Sequence, residues 1–82
     1  MELTFTNNSS EFRAESHFNL HLENAGRAKL YKRTSGTGWD YMTDLTNIFG
    51  TVIDIDVAVN IPKEYRVECA ATPTMAVVTF NE

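Results

Sequence analysis

One cysteine, two prolines and four glycines are all that this 82-residue chain has of the residues that staple or bend a backbone. With Cys69 alone, an internal disulfide is excluded, and in its context YRVECAA it reads as a small buried hydrophobe on a strand. Apolar residues never run long enough for a membrane helix. The opening residues MELTFTNNSSEF lack a basic n-region, so the expectation is a chain made and folded in a cytoplasm. There the sequons at Asn7 and Asn8 would stay unglycosylated. A basic excess is missing too: 7 Lys and Arg stand against 11 Asp and Glu, a net charge of −4. That balance argues against nonspecific binding to nucleic acid or to an anionic membrane.

Residues arranged for chemistry are equally scarce. No serine lies in a nucleophile-elbow sequence, and Cys69 has no histidine near it in sequence. Gly36, Thr37 and Gly38 form too short a stretch, and lie too far from any helix start, to cradle a phosphate. His17 and His21 look like a metal pair, but on a strand they sit roughly 13 Å apart, too far to share one ion. Asp54 and Asp56 are about 6.6 Å apart on one strand face, with no calcium-type loop beside them. They read as a charged face that blunts the strand against edge pairing. The expectation is a protein without enzymatic activity, metal or cofactor.

What the sequence does have is alternation. The stretch AKLYKRTSGTGWDYMTD, Ala28 to Asp44, reads as two strands folded back around a glycine-punctuated loop. Its first strand is Ala28–Arg33, and the second starts at Trp39. Upstream, Leu3 and Phe5 face one way in a short first strand, Asn7 to Ser10 form a polar turn, and residues 12–16 give either more strand or one helical turn. Phe18, Leu20 and Leu22 alternate with His17, Asn19 and His21, the pattern of a half-buried strand. Asn24, Ala25 and Gly26 turn the chain into the Ala28 strand, and Leu45 to Gly50 is a loop carrying Ile48 and Phe49. In 51–60, Ile53, Ile55, Val57 and Val59 share one face and Asp54 and Asp56 the other, which specifies the register. After Pro62 and a turn at Lys63 and Glu64, residues 65–70 run back with Tyr65, Val67 and Cys69 inward. Thr74 to Phe80 is apolar on both faces, as a central or interface strand would be.

About six to seven strands, spaced by turns and without a convincing helix, predict an all-β domain over 1–82. A small antiparallel β-sandwich is favoured, with a small barrel as the alternative. Trp39, opening a strand after a glycine turn, is expected in the core between the sheets. The alternative is an exposed platform with Tyr31, Tyr41 and Asn60 on which a sugar or a partner stacks. Arg27, Lys29, Lys32 and Arg33 lie on one strand, and Asp40, Asp44, Asp54 and Asp56 on the next two. That segregation has two readings: cross-strand pairing of solvated side chains, or a basic patch that docks on an acidic neighbour.

The run from Phe18 to Cys69, FNLHLENAGRAKLYKRTSGTGWDYMTD followed by IPKEYRVECAA, resembles a pattern of small fibronectin-III-like β-sandwiches. There a strand ending in a residue such as Arg33, then a Ser-Gly turn, leads to a Trp, and a later turn precedes a Tyr-Arg strand such as 65–69. Short chains of this kind look like virion proteins of tailed bacteriophages: capsid decoration, head-fibre or tail-accessory subunits. The resemblance implies a non-catalytic assembly role in a virion and transfers no site residue.

Length points the same way. A chain of this size buries only about 60–65% of its unfolded surface, so neighbours are a natural source of stability. Phe12, Ile48 and Phe49, large apolar residues in loops or beside turns, are the candidate interface anchors. Lys29, Lys32 and Arg33 would steer the approach to an acidic surface. The partners expected are other virion proteins and further copies of the chain, not nucleic acid or membrane. The alternatives are a carbohydrate- or cell-surface-binding module and a small regulator of a host protein.

Overall fold

A computed structural model of the protein describes residues 1–36, 38–45 and 50–81. These form seven strands: β1 (Ser9–Ala14), β2 (His17–Glu23), β3 (Ala28–Arg33), β4 (Asp40–Leu45), β5 (Val52–Val57), β6 (Lys63–Cys69) and β7 (Met75–Asn81). They make two antiparallel sheets, ordered β1-β6-β3-β4 and β5-β2-β7, consistent with a small β-sandwich and not a closed barrel. The period-two alternation explains the packing. Phe18, Leu20 and Leu22 of β2, Ile53 and Val57 of β5 and Val78 of β7 turn inward from one sheet. Ala28 and Leu30 of β3, Leu45 of β4, Tyr65 and Val67 of β6, and Phe12 and Ala14 of β1 meet them from the other. Each fully buried Leu, Ile or Phe among them contributes about 1.5–3 kcal/mol of transfer free energy.

Phe12 corrects an expectation. It is 8% exposed, edge-on to Phe18 at 5.2 Å and stacked on Tyr65 at 5.8 Å, so it is a core residue and not a docking anchor. The polar turn before it is shorter than expected. Asn7 and Asn8 both take positive φ (53° and 62°), the backbone that a two-residue hairpin turn requires and that asparagine tolerates. Ser9 is therefore already in β1, and the strand continues through Ala14 with no helical turn. Trp39 is the other core expectation that changes. It is half-buried at the surface, one residue before β4, and absent from the core cluster. Lys63 and Glu64, expected in a turn, open β6.

The segment 1–5 does not form a full strand, yet it runs along the outer edge of β7. Met1 and Val78 exchange backbone hydrogen bonds at 2.8 Å, and Leu3 N–H donates to Ala76 C=O at 3.0 Å. Leu3 and Phe5 pack against the core, as their spacing predicts. This segment and the Asn7–Asn8 turn connect an edge of one sheet to an edge of the other, closing that side of the sandwich. The opposite side, between β4 and β5, has no such cover among the described residues. β7 is thus an edge strand of its sheet rather than a central one, and β2 holds the centre.

The neighbours β2–β5 and β3–β6 are those of an immunoglobulin-type sandwich. The terminal strands are exchanged relative to it. β1 lies beside β6 and β7 beside β2, where that architecture puts the first strand beside the second and the last beside the sixth. In the β2–β3 turn, Gly26 has φ 69°, and a Cβ there would meet the Ala70 Cβ at 3.2 Å. Gly36 supplies the positive φ (89°) that the β3–β4 loop needs.

Candidate functional site

The outer face of the four-stranded sheet gathers the surface aromatics. On β3, Lys29, Tyr31 and Arg33 point outward, and Ala28, Leu30 and Lys32 lie on the core side. The basic patch is therefore split. Lys32 sits on the opposite face from Lys29 and Arg33, at the strand end beyond the core, beside Asp40 and Tyr65 in register.

Cross-strand acids neutralise most of what remains. Arg33 holds Glu64 at 2.9 Å and lays its guanidinium 4.2 Å from the Trp39 ring centre. Arg66 on β6 donates to Glu11 at 2.7 Å, to Glu68 at 2.8 Å and to Ser9 Oγ at 3.2 Å. Lys29 faces Asp44 and Glu68 in register. The pairing reading of the charge segregation describes this sheet better than a free basic patch does.

A bulge in β4 decides where the tyrosines go. Register shifts between Leu30↔Thr43 and Tyr31↔Tyr41, which places Tyr31 and Tyr41 side by side in an edge-to-face pair at 5.9 Å. Tyr41 is 55% exposed, and its hydroxyl donates to Asp44 at 2.8 Å, which holds the phenol pKa above its ordinary value. Beside this pair lies a hollow of about 580 Å³, with Lys29, Tyr31, Asp44 and Glu68 among its walls. Cys69 lines it as well. Burial pushes that thiol up to about 11, so little reactive thiolate forms at neutral pH.

The two histidines go to different partners. His17 Nδ1 accepts the Val59 N–H at 2.7 Å. His21 bridges two carboxylates, with Nε2 2.7 Å from Glu23 and Nδ1 2.9 Å from Asp54. Its pKa is raised by the hydrogen bond to Glu23 first and that to Asp54 second. Asp54 is lowered in turn, chiefly by the Asn19 amide at 2.7 Å and then by His21. Asn19 also donates to Asp56 at 3.1 Å.

Of the sequence-based interface residues, Lys29 and Arg33 lie on the aromatic face and Lys32 and Phe12 do not. Ile48 and Phe49 lie outside the described residues. Sequence reasoning placed Tyr31, Tyr41 and Trp39 together only as an alternative. Strand parity was the available signal, and the bulge is what completes the pair. Comparison with protein-family models, with curated proteins and with solved structures gives no match in any of the three.

Proposed function

We propose that the protein is a non-enzymatic assembly subunit that works by docking another protein on the outer face of its four-stranded sheet. The observation that carries this is the pair of half-buried Tyr31 and exposed Tyr41 beside the Arg33-capped Trp39, next to a hollow edged by Lys29. Tyr, Trp and Arg are the residues whose burial contributes most to protein interfaces: the two aromatics bring large area with few rotamers to freeze, and Arg brings a planar guanidinium with several donors. The mostly paired charges around them suit a rim that sets register without large desolvation cost. Following the resemblance, the assembly is a tailed-phage virion, built in the host cytoplasm, in which the chain is a decoration or accessory subunit that also contacts its own copies.

A carbohydrate-binding role is the second reading, favoured by the exposed Tyr41 ring. Arg33 covers one face of Trp39, which leaves that ring less free to stack on a sugar.

Sedimentation of the chain alone and mixed with the products of neighbouring genes tests the proposal, with particle copurification as the second measurement. Tyr41→Ala is expected to weaken partner binding about thirtyfold, the effect of losing one interface anchor. A stable monomer that binds none of these proteins, or binding indifferent to Tyr41→Ala and Trp39→Ala, sinks it. Tyr41-dependent binding on a glycan array moves the function to the second reading.

A further inference from the structure

The side between β4 and β5, uncovered among the described residues, carries a second surface, which shares Asp44 and Leu45 with the hollow of the aromatic face. Between β4 and β5 runs a groove of about 410 Å³. Leu30, Met42, Ile55 and Val57 give it an apolar floor, and Asp44 and Asp56 stand among its walls. Ile55 shows the effect of the opening: it is only partly buried, although Ile53 and Val57 on the same face are core.

Backbone groups line the same side. The Asn24 N–H donates to Thr51 C=O at 2.8 Å, continuing the β2–β5 ladder by one pair. Hydrogen-bonded pairs alternate in an antiparallel ladder, so Ile53, Ile55 and Val57 turn their N–H and C=O groups toward β2. Those of Val52, Asp54 and Asp56 point the other way. Because β5 is the edge of its sheet, they face the opening.

An extended segment added there would have two alternating environments. Side chains on its inner face would enter the apolar groove, and those on its outer face would stand beside Asp54 and Asp56. Another copy of this chain is a poor occupant. Pairing β5 with its own counterpart sets Asp54 and Asp56 against the same acids, and pairing it with β4 of a second copy sets them against whichever of Asp40 and Asp44 shares their face, since those two lie on opposite faces of β4. Like charges directly opposite destabilise a strand pair. Asp56 accepts one hydrogen bond, from Asn19, and Asp44 accepts one, from Tyr41. Each carboxylate retains further acceptor capacity for a cation.

We propose that the β4–β5 side is a docking groove for an extended segment of a partner protein in which apolar residues alternate with Lys or Arg, and that the segment pairs with the edge of β5 that no other described strand covers. The acids of β4 and β5 then do two things: they block self-pairing and they select a basic strand.

The test uses three capped eight-residue peptides, alternating valine with lysine, valine with glutamate, and serine with lysine. Binding is measured by calorimetry and mapped by amide shifts on the whole chain. The valine–lysine peptide is expected to bind with its largest shifts over 52–57, and the other two about tenfold more weakly or not at all. Asp56→Asn should weaken it about two- to fivefold, as for an exposed ion pair. Asp56→Pro removes an outward N–H that β2 does not use, and it should abolish binding while β2 pairing persists. If that variant does not fold, the peptide series and Asp56→Asn decide alone. No binding of the valine–lysine peptide, equal binding of serine–lysine, or shifts centred on the aromatic face overturns the proposal. So does a dimer of the chain whose interface maps to β5.

Discussion

Phe12→Ala separates a core residue from a docking anchor, because the two roles predict opposite results in the isolated protein. The ring is 8% exposed and lies between Phe18 and Tyr65, with centroids 5.2 and 5.8 Å away. Truncating a buried phenylalanine costs about 3–5 kcal/mol, from lost transfer free energy and the cavity left behind. Each aromatic contact adds roughly 0.5–1.5 kcal/mol beyond area. β1 is an edge strand and can partly collapse into the space, so the lower part of the range, about 3–4 kcal/mol, is expected. A domain of this length has about 4–12 kcal/mol of stability in all. The variant should therefore melt roughly 12–25 °C lower and lose much of its urea resistance with an unchanged m-value. Urea titration followed by far-ultraviolet circular dichroism measures both. A loss below about 1 kcal/mol would refute the reasoning and return Phe12 to the surface.

Ile53→Asp, at a residue 1% exposed, buries an unpaired carboxylate at a cost of several kcal/mol and should leave the domain unfolded. Ile55→Asp opens onto the groove and should fold with a loss of about 1–2 kcal/mol, and equal unfolding of both variants would mean the groove is not open. The His21 cluster predicts a pH window. A raised histidine pKa adds stability in full below the unfolded value of 6.5, and that is lost as pH rises through the folded value; a lowered Asp54 adds stability above 3.8 that is lost as pH falls through its folded value. The stability difference between the protein and His21→Asn should thus peak between pH 3.8 and 6.5 and shrink on either side, and a flat difference in urea midpoints from pH 3 to 9 would refute the pairing. Cys69, with its pKa pushed from 9.0 to about 11, should react with iodoacetamide at pH 8 roughly a hundredfold more slowly than an unperturbed thiol, and a rate near the free-thiol value would contradict its burial.

Local pattern made a good part of this architecture legible. The limits of β3, the inward faces of β2 and β5 and the all-β class follow from alternation and turn residues within ten or so positions. The start of β1 did not, because Ser9 and Ser10 read as turn formers until the positive φ of Asn7 and Asn8 shows that two residues complete the turn. Position parity on β3 already separates Lys32 from Lys29 and Arg33, so the split of the basic patch could have been read. The Tyr31–Tyr41 pair could not, since an unbulged hairpin keeping the Leu30↔Thr43 register would set Tyr31 against Met42. Trp39 followed the hairpin outward, where Arg33 gives its ring a partner that no spacing rule announces. Least legible were the pairings β1–β6 and β2–β7, which join strands from opposite ends of the chain.

Those distant pairings determine when the protein can fold. During synthesis the β3–β4 hairpin can close on its own, but β1 has no ladder until β6 has emerged, and β2 lacks one neighbour until β7 follows. Met1 finds its partner only at Val78. Assembly therefore requires nearly every residue through 81 to be free of the ribosome, and folding dominated by such non-local pairings is slow, on the order of milliseconds to seconds. Until then the apolar faces of β1 and β2 stay exposed in the nascent chain, which makes that interval its period of greatest vulnerability to aggregation and proteolysis.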